Sequence, residues 1–376
     1  MGSWRRLRGI ERQMALDEMP PCCVNSTCWP LSPLRDLGSQ GCTCTGLRRA
    51  YEWQPSRCSL LRWNATRFCE RLGTRRVLFM GDSTMRQHHA MLTNRIVWQP
   101  RGTTEPARVT PLARLRECAA QISFVLSDTL TMQPLGRMNR GYPIRKVLAR
   151  GQPAATRWQP AYDVAIVSAG SHVTNDTSFM CLLDYVATTV AAAFPQTKLL
   201  WKLQNPAGCS VNDQPLTSFP DEAFFDAQVP SSYNWPSFAR RDQWARSAFR
   251  HNVRLPQIGG LVDFTPTNLR ADAHISSPGS KGQPNMNRVS GSGRDCLHLC
   301  HAADGGPLGL GPQLLLHALE TGQISFDLPP QLQGKVEFGS IQNSSTTSEL
   351  LAKLGGVQAG TCTKAKLARL DTLLRD

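Results

Sequence analysis

The 376-residue chain has no run approaching the ~18 consecutive apolar residues that span a bilayer. Its longest weakly polar stretch, residues 185–194, carries two threonines and reads as a core helix. Acidic residues are scarce, 28 against 42 Lys and Arg, for a net charge of +14. Most of the excess is Arg and it is spread along the chain, with no basic block of the ~5–6 residues that mark a charged tail. There is also no RNA-binding signature, no zinc-finger spacing and no Arg-rich helix, so nucleic acid is not an expected partner. A basic face for an anionic partner remains open. No internal repeat is present. The first residues, Met1–Arg6, lack the apolar core of a signal peptide. What is present is enough apolar matter, 41% of residues, for a sizeable core, which excludes a wholly disordered chain.

Cysteine is plentiful, with 13 residues, and four N-x-S/T sequons accompany it at Asn25, Asn64, Asn175 and Asn343. Together they predict a disulfide-bonded glycoprotein of an oxidising compartment, the Golgi lumen or the extracellular space. That reading requires a leader or anchor outside this sequence, or else it fails. The odd count leaves one thiol free or paired with another chain. At least two bridges are expected, one of them fixing the neighbourhood of Cys296 and Cys300.

Residues 1–45, rich in Pro, Cys and Arg, read as a loop-rich extension. From Tyr51 the texture changes. Short apolar runs at 75–80, 121–126, 163–168, 198–203 and 260–264 alternate with helical patterns at 182–194, 235–252 and 308–320. Alternation of this kind predicts an α/β fold: a three-layer α/β/α domain over 46–325 with a central parallel sheet. Residues 276–294, rich in Gly, Ser, Pro and Asn, read as a mobile insertion within it. Residues 326–376 read as a polar tail ending in a basic amphipathic helix at 363–374.

The sharpest feature is Gly81-Asp82-Ser83, directly after the first apolar run and followed by Arg86. A serine at a strand's C-terminal end, entering a helix, stands at the usual ligand edge of an open α/β sheet. There its hydroxyl can face a substrate, and helix N–H groups can face a developing oxyanion. The plainer alternative is a helix cap beside a turn glycine. A serine nucleophile needs a base, and the base an orienter. Asp295-Cys296-Leu297-His298 offers both from one loop. Cys296, His298, Cys300 and His301 also invite a zinc reading, but a second ligand pair from a separate segment is missing. Gly170 is a candidate oxyanion N–H donor. His172 is a candidate substrate contact, with helix capping as its alternative. Arg270-Ala271-Asp272-Ala273-His274 reads as structural, positioning the catalytic loop. Arg86 is the best-placed cation for an anionic acceptor, with a salt bridge inside the fold as its plainer role.

In this order the motifs resemble the SGNH/GDSL serine-esterase superfamily, and within it the PC-esterase, or trichome-birefringence-like, polysaccharide O-acetyltransferases. The resemblance spans Tyr51 to Gly322. It rests on Trp53-Gln54-Pro55 with Cys58, on Gly81 to Arg86, and on an Ala-Gly-x-His segment where the family has Gly-His-Trp. Arg270 to His274 and Asp295 to Cys300 complete it. The family's Trp after the catalytic His is Leu299 here. The resemblance implies Ser83 as nucleophile, His298 as general base and Asp295 as its orienter. It implies no bound cofactor, an acetyl donor such as acetyl-CoA as co-substrate, and a polysaccharide acceptor. An esterase of the same fold, or a silent polysaccharide-binding protein, is the alternative.

Overall fold

The computed structural model describes residues 2–6, 8, 51–56, 59–97, 112–131, 140–149, 162–173, 175–204, 216, 218–220, 223–224, 235–250, 258–270, 274–276, 294–299 and 307–322. Five strands, β3 (Val77–Gly81), β4 (Ile122–Leu126), β5 (Val164–Val167), β6 (Lys198–Lys202) and β7 (Ile258–Val262), form one sheet. All neighbours pair in parallel, in the order β4-β3-β5-β6-β7. Alternate side chains of each strand go to opposite faces, and here both faces are dry. Leu78, Met80, Ala165, Val167, Leu199 and Trp201 join one apolar cluster. Val77, Phe79, Val164, Ile166 and Leu200 join the other. This is why the strands read as unbroken apolar runs. The expected α/β class with a central parallel sheet is what the chain adopts.

The first face is covered by α4 (Ile144–Ala149), α5 (Asp176–Asp184) and α6 (Phe238–Arg250). A π-helical segment, Tyr185–Val190, prolongs α5 to Ala193. The periodicity over 182–194 marks only its second half. The helix starts earlier because Asn175 caps it, its side chain accepting from the Ser178 N–H. The second face is covered by α1 (Ala65–Leu72), α2 (Ser83–Val97), α3 (Leu112–Ala120) and α7 (Leu310–Glu320). A disulfide, Cys69–Cys118, ties α1 to α3. Cys181 is also disulfide-bonded. The bridge expected near Cys300 falls outside the described residues, as do Cys58, most of the extension 1–45, nearly all of the insertion and the tail 326–376.

Two antiparallel ribbons lie outside the main sheet. β1 (Gly2–Arg6) pairs with β2 (Tyr51–Pro55), although the extension read as loop. Trp4 donates from Nε1 to the Pro266 carbonyl at 2.7 Å, and the fully buried Arg270 guanidinium lies over the rings of Trp4 and Tyr51. β8 (His274–Ser276) pairs with β9 (Arg294–Leu299). The loop expected to carry Asp295 and His298 is therefore a strand. Among the described residues no helix is long and apolar enough to cross a membrane.

Candidate active site

In chain order, β3 is the first strand of the sheet, and the next two flank it on opposite sides. The path reverses between β3 and β5, and the crevice beyond the C-terminal ends of those strands is where open α/β sheets take their ligands. Ser83 stands there, half-buried, as the first residue of α2. Gly81 is required just before it. A Cβ at that position would lie 2.7 Å from the Ser168 carbonyl oxygen at the exit of β5. Asp82, buried, turns its carboxylate into the helix start, accepting from the Thr84 N–H at 2.9 Å and the Thr84 hydroxyl at 2.6 Å. Burial raises the pKa of this carboxyl, but His172, the Thr84 bonds and Lys202 outweigh it and hold it below the ordinary value. Asp82 is thus the cap. The Ser83 N–H belongs to the first turn, whose N–H groups have no acceptor within the helix.

Across 215 residues of sequence, His298 brings its Nε2 to 2.6 Å from Ser83 Oγ. Both side chains are half-buried. The strand that carries His298 is fixed on both sides of it. His274 Nδ1 lies 3.1 Å from the His298 carbonyl oxygen. Gln87, one turn beyond Ser83, donates from Nε2 to the Leu299 carbonyl at 2.8 Å and accepts from the Leu299 N–H at 3.1 Å. One turn further, Met91 packs with Leu299 and Leu308, so Leu299 serves as core. Arg95, a turn beyond that, donates to the Gly309 carbonyl at 3.3 Å. Ser83, Gln87, Met91 and Arg95 recur at four-residue steps and form one stripe along α2. Asp295 pairs through its backbone with Ile275. The orienting role expected of it depends on a side chain outside those described, and Cys300 and His301 of the zinc alternative lie outside as well.

The opposite wall follows β5. Gly170 has a φ of +156°, and a Cβ there would meet the Gln204 amide nitrogen at 2.4 Å. Gln204 donates to the Ala169 carbonyl at 2.6 Å, and its own N–H is held by Asp242 at 3.0 Å. Arg241, fully buried, donates to the carbonyls of Gly170 and Val173, both at 2.9 Å. The turn that presents Gly170 is thereby clamped from α6. His172 is no helix cap, since Asn175 fills that position. It is buried, with Nε2 3.6 Å from Asp128 Oδ1, while Arg140 holds the other oxygen at 3.0 Å. Beneath the crevice, Lys202 is buried, donating to the Leu203 carbonyl at 2.7 Å. Burial pushes its pKa down, and Asp82 and Asp242 pull it back up. Burial likewise raises Asp242.

Arg86 is half-buried over the Phe124 ring, 5.4 Å from its centroid. Among the described residues no carboxylate partner for Arg86 occurs, so the plainer role, a salt bridge within the fold, is not seen there. Desolvation and the nearby Arg140 charge lower its pKa. Ser83, His298, Gly170 and His172 were expected at the site from the sequence; Gln87, Asp128, Lys202, Gln204, Arg241 and Asp242 were not. Two carried a signal. Gln87 is four residues after Ser83, hence on its helix face, and Lys202 is a charge ending an apolar strand.

Chemically, the hydroxyl and imidazole are at proton-transfer distance, on a helix start whose dipole favours negative charge. Among the described residues, no cluster of three His, Cys, Asp or Glu side chains is arranged to hold a metal ion. No protein-family model matches the chain, and no match is found among curated proteins. The class defined by these features is thus a parallel α/β domain with a Ser–His pair at its switch point.

Proposed function

We propose that this protein transfers an acyl group, acetyl, to a hydroxyl of a polysaccharide through a seryl-enzyme intermediate, as a divergent relative of the PC-esterase O-acetyltransferases. The observation that carries the reading is the 2.6 Å approach of His298 Nε2 to Ser83 Oγ. In the first half-reaction, His298 takes the Ser83 proton as Oγ bonds to the acyl carbon of a thioester donor such as acetyl-CoA. The tetrahedral intermediate collapses, its carbon–sulfur bond breaks, and the thiolate leaves with the proton from His298. In the second, an acceptor hydroxyl gives its proton to His298 and attacks the acyl-serine. The new ester departs, and Ser83 recovers the proton. The Ser83 N–H and that of Gly170, across the crevice, are assigned to the developing oxyanion.

Arg86, one turn from Ser83 and without a carboxylate partner among the described residues, is assigned to an anionic group of the acceptor. Residence in the secretory pathway is supported by the Cys69–Cys118 disulfide and by two exposed sequon asparagines, Asn64 and Asn175, at helix N-caps. The test is product analysis with an acetyl donor and a panel of neutral and anionic glycans. The expected product is an O-acetylated glycan, formed by the wild type and not by Ser83→Ala. Release of acetate with no glycan product would replace transferase with esterase. Neither product with any donor would overturn the reading.

A further inference from the structure

We infer that Gln87 is a positioning residue: its side-chain amide clasps the backbone of Leu299 and thereby sets the approach of His298 to Ser83. The inference rests on the reading of Ser83 and His298 as a reacting pair. Gln87 is only 4% exposed and its amide is used at both ends. The Nε2 group donates to the Leu299 carbonyl and Oε1 accepts from the Leu299 N–H, so one side chain satisfies both backbone groups of that residue as a neighbouring strand would. The clasp joins two elements that do not share a sheet. Ser83 rides on α2, which is packed into the main core, whereas His298 rides on a two-stranded ribbon. Clasp and reacting contact are consecutive on both elements: Ser83 and Gln87 are one helical turn apart, and His298 and Leu299 are neighbours.

The bland role for a buried amide is to satisfy backbone groups and no more. The geometry argues for a second role, because a slip of the ribbon along α2 moves the imbalance straight to the Ser83 contact. A misplacement of ~1 Å can cost ~10²-fold in rate. Hydrophobic packing of Met91 against Leu299 and Leu308 does not set register at that precision, since apolar contact is non-directional.

Two variants separate the roles. Gln87→Leu removes both bonds. Gln87→Glu keeps the shape and, when its carboxyl is protonated, keeps both bonds; when ionised it loses the donor and faces the Leu299 carbonyl with a negative charge. The first readout is the ¹⁵N shift of the His298 imidazole, with Ser83→Ala marking the value for a lost hydroxyl contact. Gln87→Leu is expected to move the shift towards that of Ser83→Ala in folded protein. The second is inactivation by a fluorophosphonate probe, resolved into its maximal rate and its half-saturating concentration. Gln87→Leu should lower the maximal rate about 10- to 100-fold with half-saturation little changed. For Gln87→Glu, the rate relative to wild type at the same pH should rise as pH falls. An unmoved His298 shift in Gln87→Leu, or a pH-independent Glu-to-wild-type ratio, would overturn the inference. A wild type that the probe does not label at Ser83, with the shift nonetheless moving as described, would instead overturn the seryl reading and leave the clasp standing.

Discussion

The two halves of the site are built in different ways. Ser83 follows a strand whose residues are all buried, and it opens a helix whose apolar face is part of a core shared by four helices. His298 sits on a ribbon outside the sheet, where the packing of Leu299 against Met91 and Leu308 is joined by directional bonds, among them the Gln87 clasp and the His274 contact. Hydrophobic burial supplies most of a fold's stability but is non-directional, whereas hydrogen bonds contribute little net energy and much geometry. The serine side therefore resists substitution by bulk, and the histidine side by a small number of polar atoms. Loss of core packing should be felt as instability, and loss of a polar clasp as misplacement.

The largest effect expected from breaking this arrangement is on rate alone. His298→Ala removes the proton acceptor without removing core packing, since the side chain is half-buried. Acyl transfer should fall by about 10⁴- to 10⁶-fold, while thermal unfolding stays near wild type. A comparable loss of stability would mean that the imidazole itself helps to hold the ribbon in place.

On the serine side the expected effect is energetic. Cys69–Cys118 closes a segment of 49 residues between α1 and α3. Chain entropy assigns such a loop about 4 kcal/mol at most. Cys118→Ser should therefore lower stability by ~2–4 kcal/mol in denaturant titration, with the Ser83-to-His298 chemistry unchanged below the transition. An equal fractional loss of activity in fully folded protein would show that α3 helps to position the site.

A smaller effect tests the other face. Asp184 is buried at the end of α5, and desolvation raises its carboxyl from 3.8 to about 6. The folded state holds this proton more tightly than the unfolded state, so the contribution falls as pH rises from about 4 through about 6. Asp184→Asn should match wild type near pH 4 and gain on the order of 1–3 kcal/mol above pH 7. Parallel stability curves across that range would place the carboxylate in a hydrated setting.

The same division explains how much was legible in the sequence. The parallel sheet was, because a strand covered on both faces must be apolar throughout, as Val77–Gly81 and Val164–Val167 are. The place of Ser83 at a strand end was legible for the same reason: it follows such a run directly. The ribbons were not. Gly2–Arg6 is a strand only because Tyr51–Pro55 pairs with it, a partner no local pattern reveals, and Arg270 is buried between aromatic rings rather than solvated. His298 read as part of a loop because Arg294–Leu299 mixes charged and apolar residues, and its strand partner lies beyond the insertion. The buried charges Arg241 and Asp242 were invisible, since sequence does not distinguish a buried ion from a solvated one; Lys202 showed only as a charge ending an apolar strand.

The most direct measurement is labelling with a fluorophosphonate probe followed by peptide mapping, on wild type, Ser83→Ala and His298→Ala. A single adduct on Ser83 is expected in the wild type, none in Ser83→Ala, and labelling slowed by orders of magnitude in folded His298→Ala. An unlabelled wild type, an adduct elsewhere, or His298→Ala labelled at the wild-type rate would contradict the claim that these two side chains form a reacting pair.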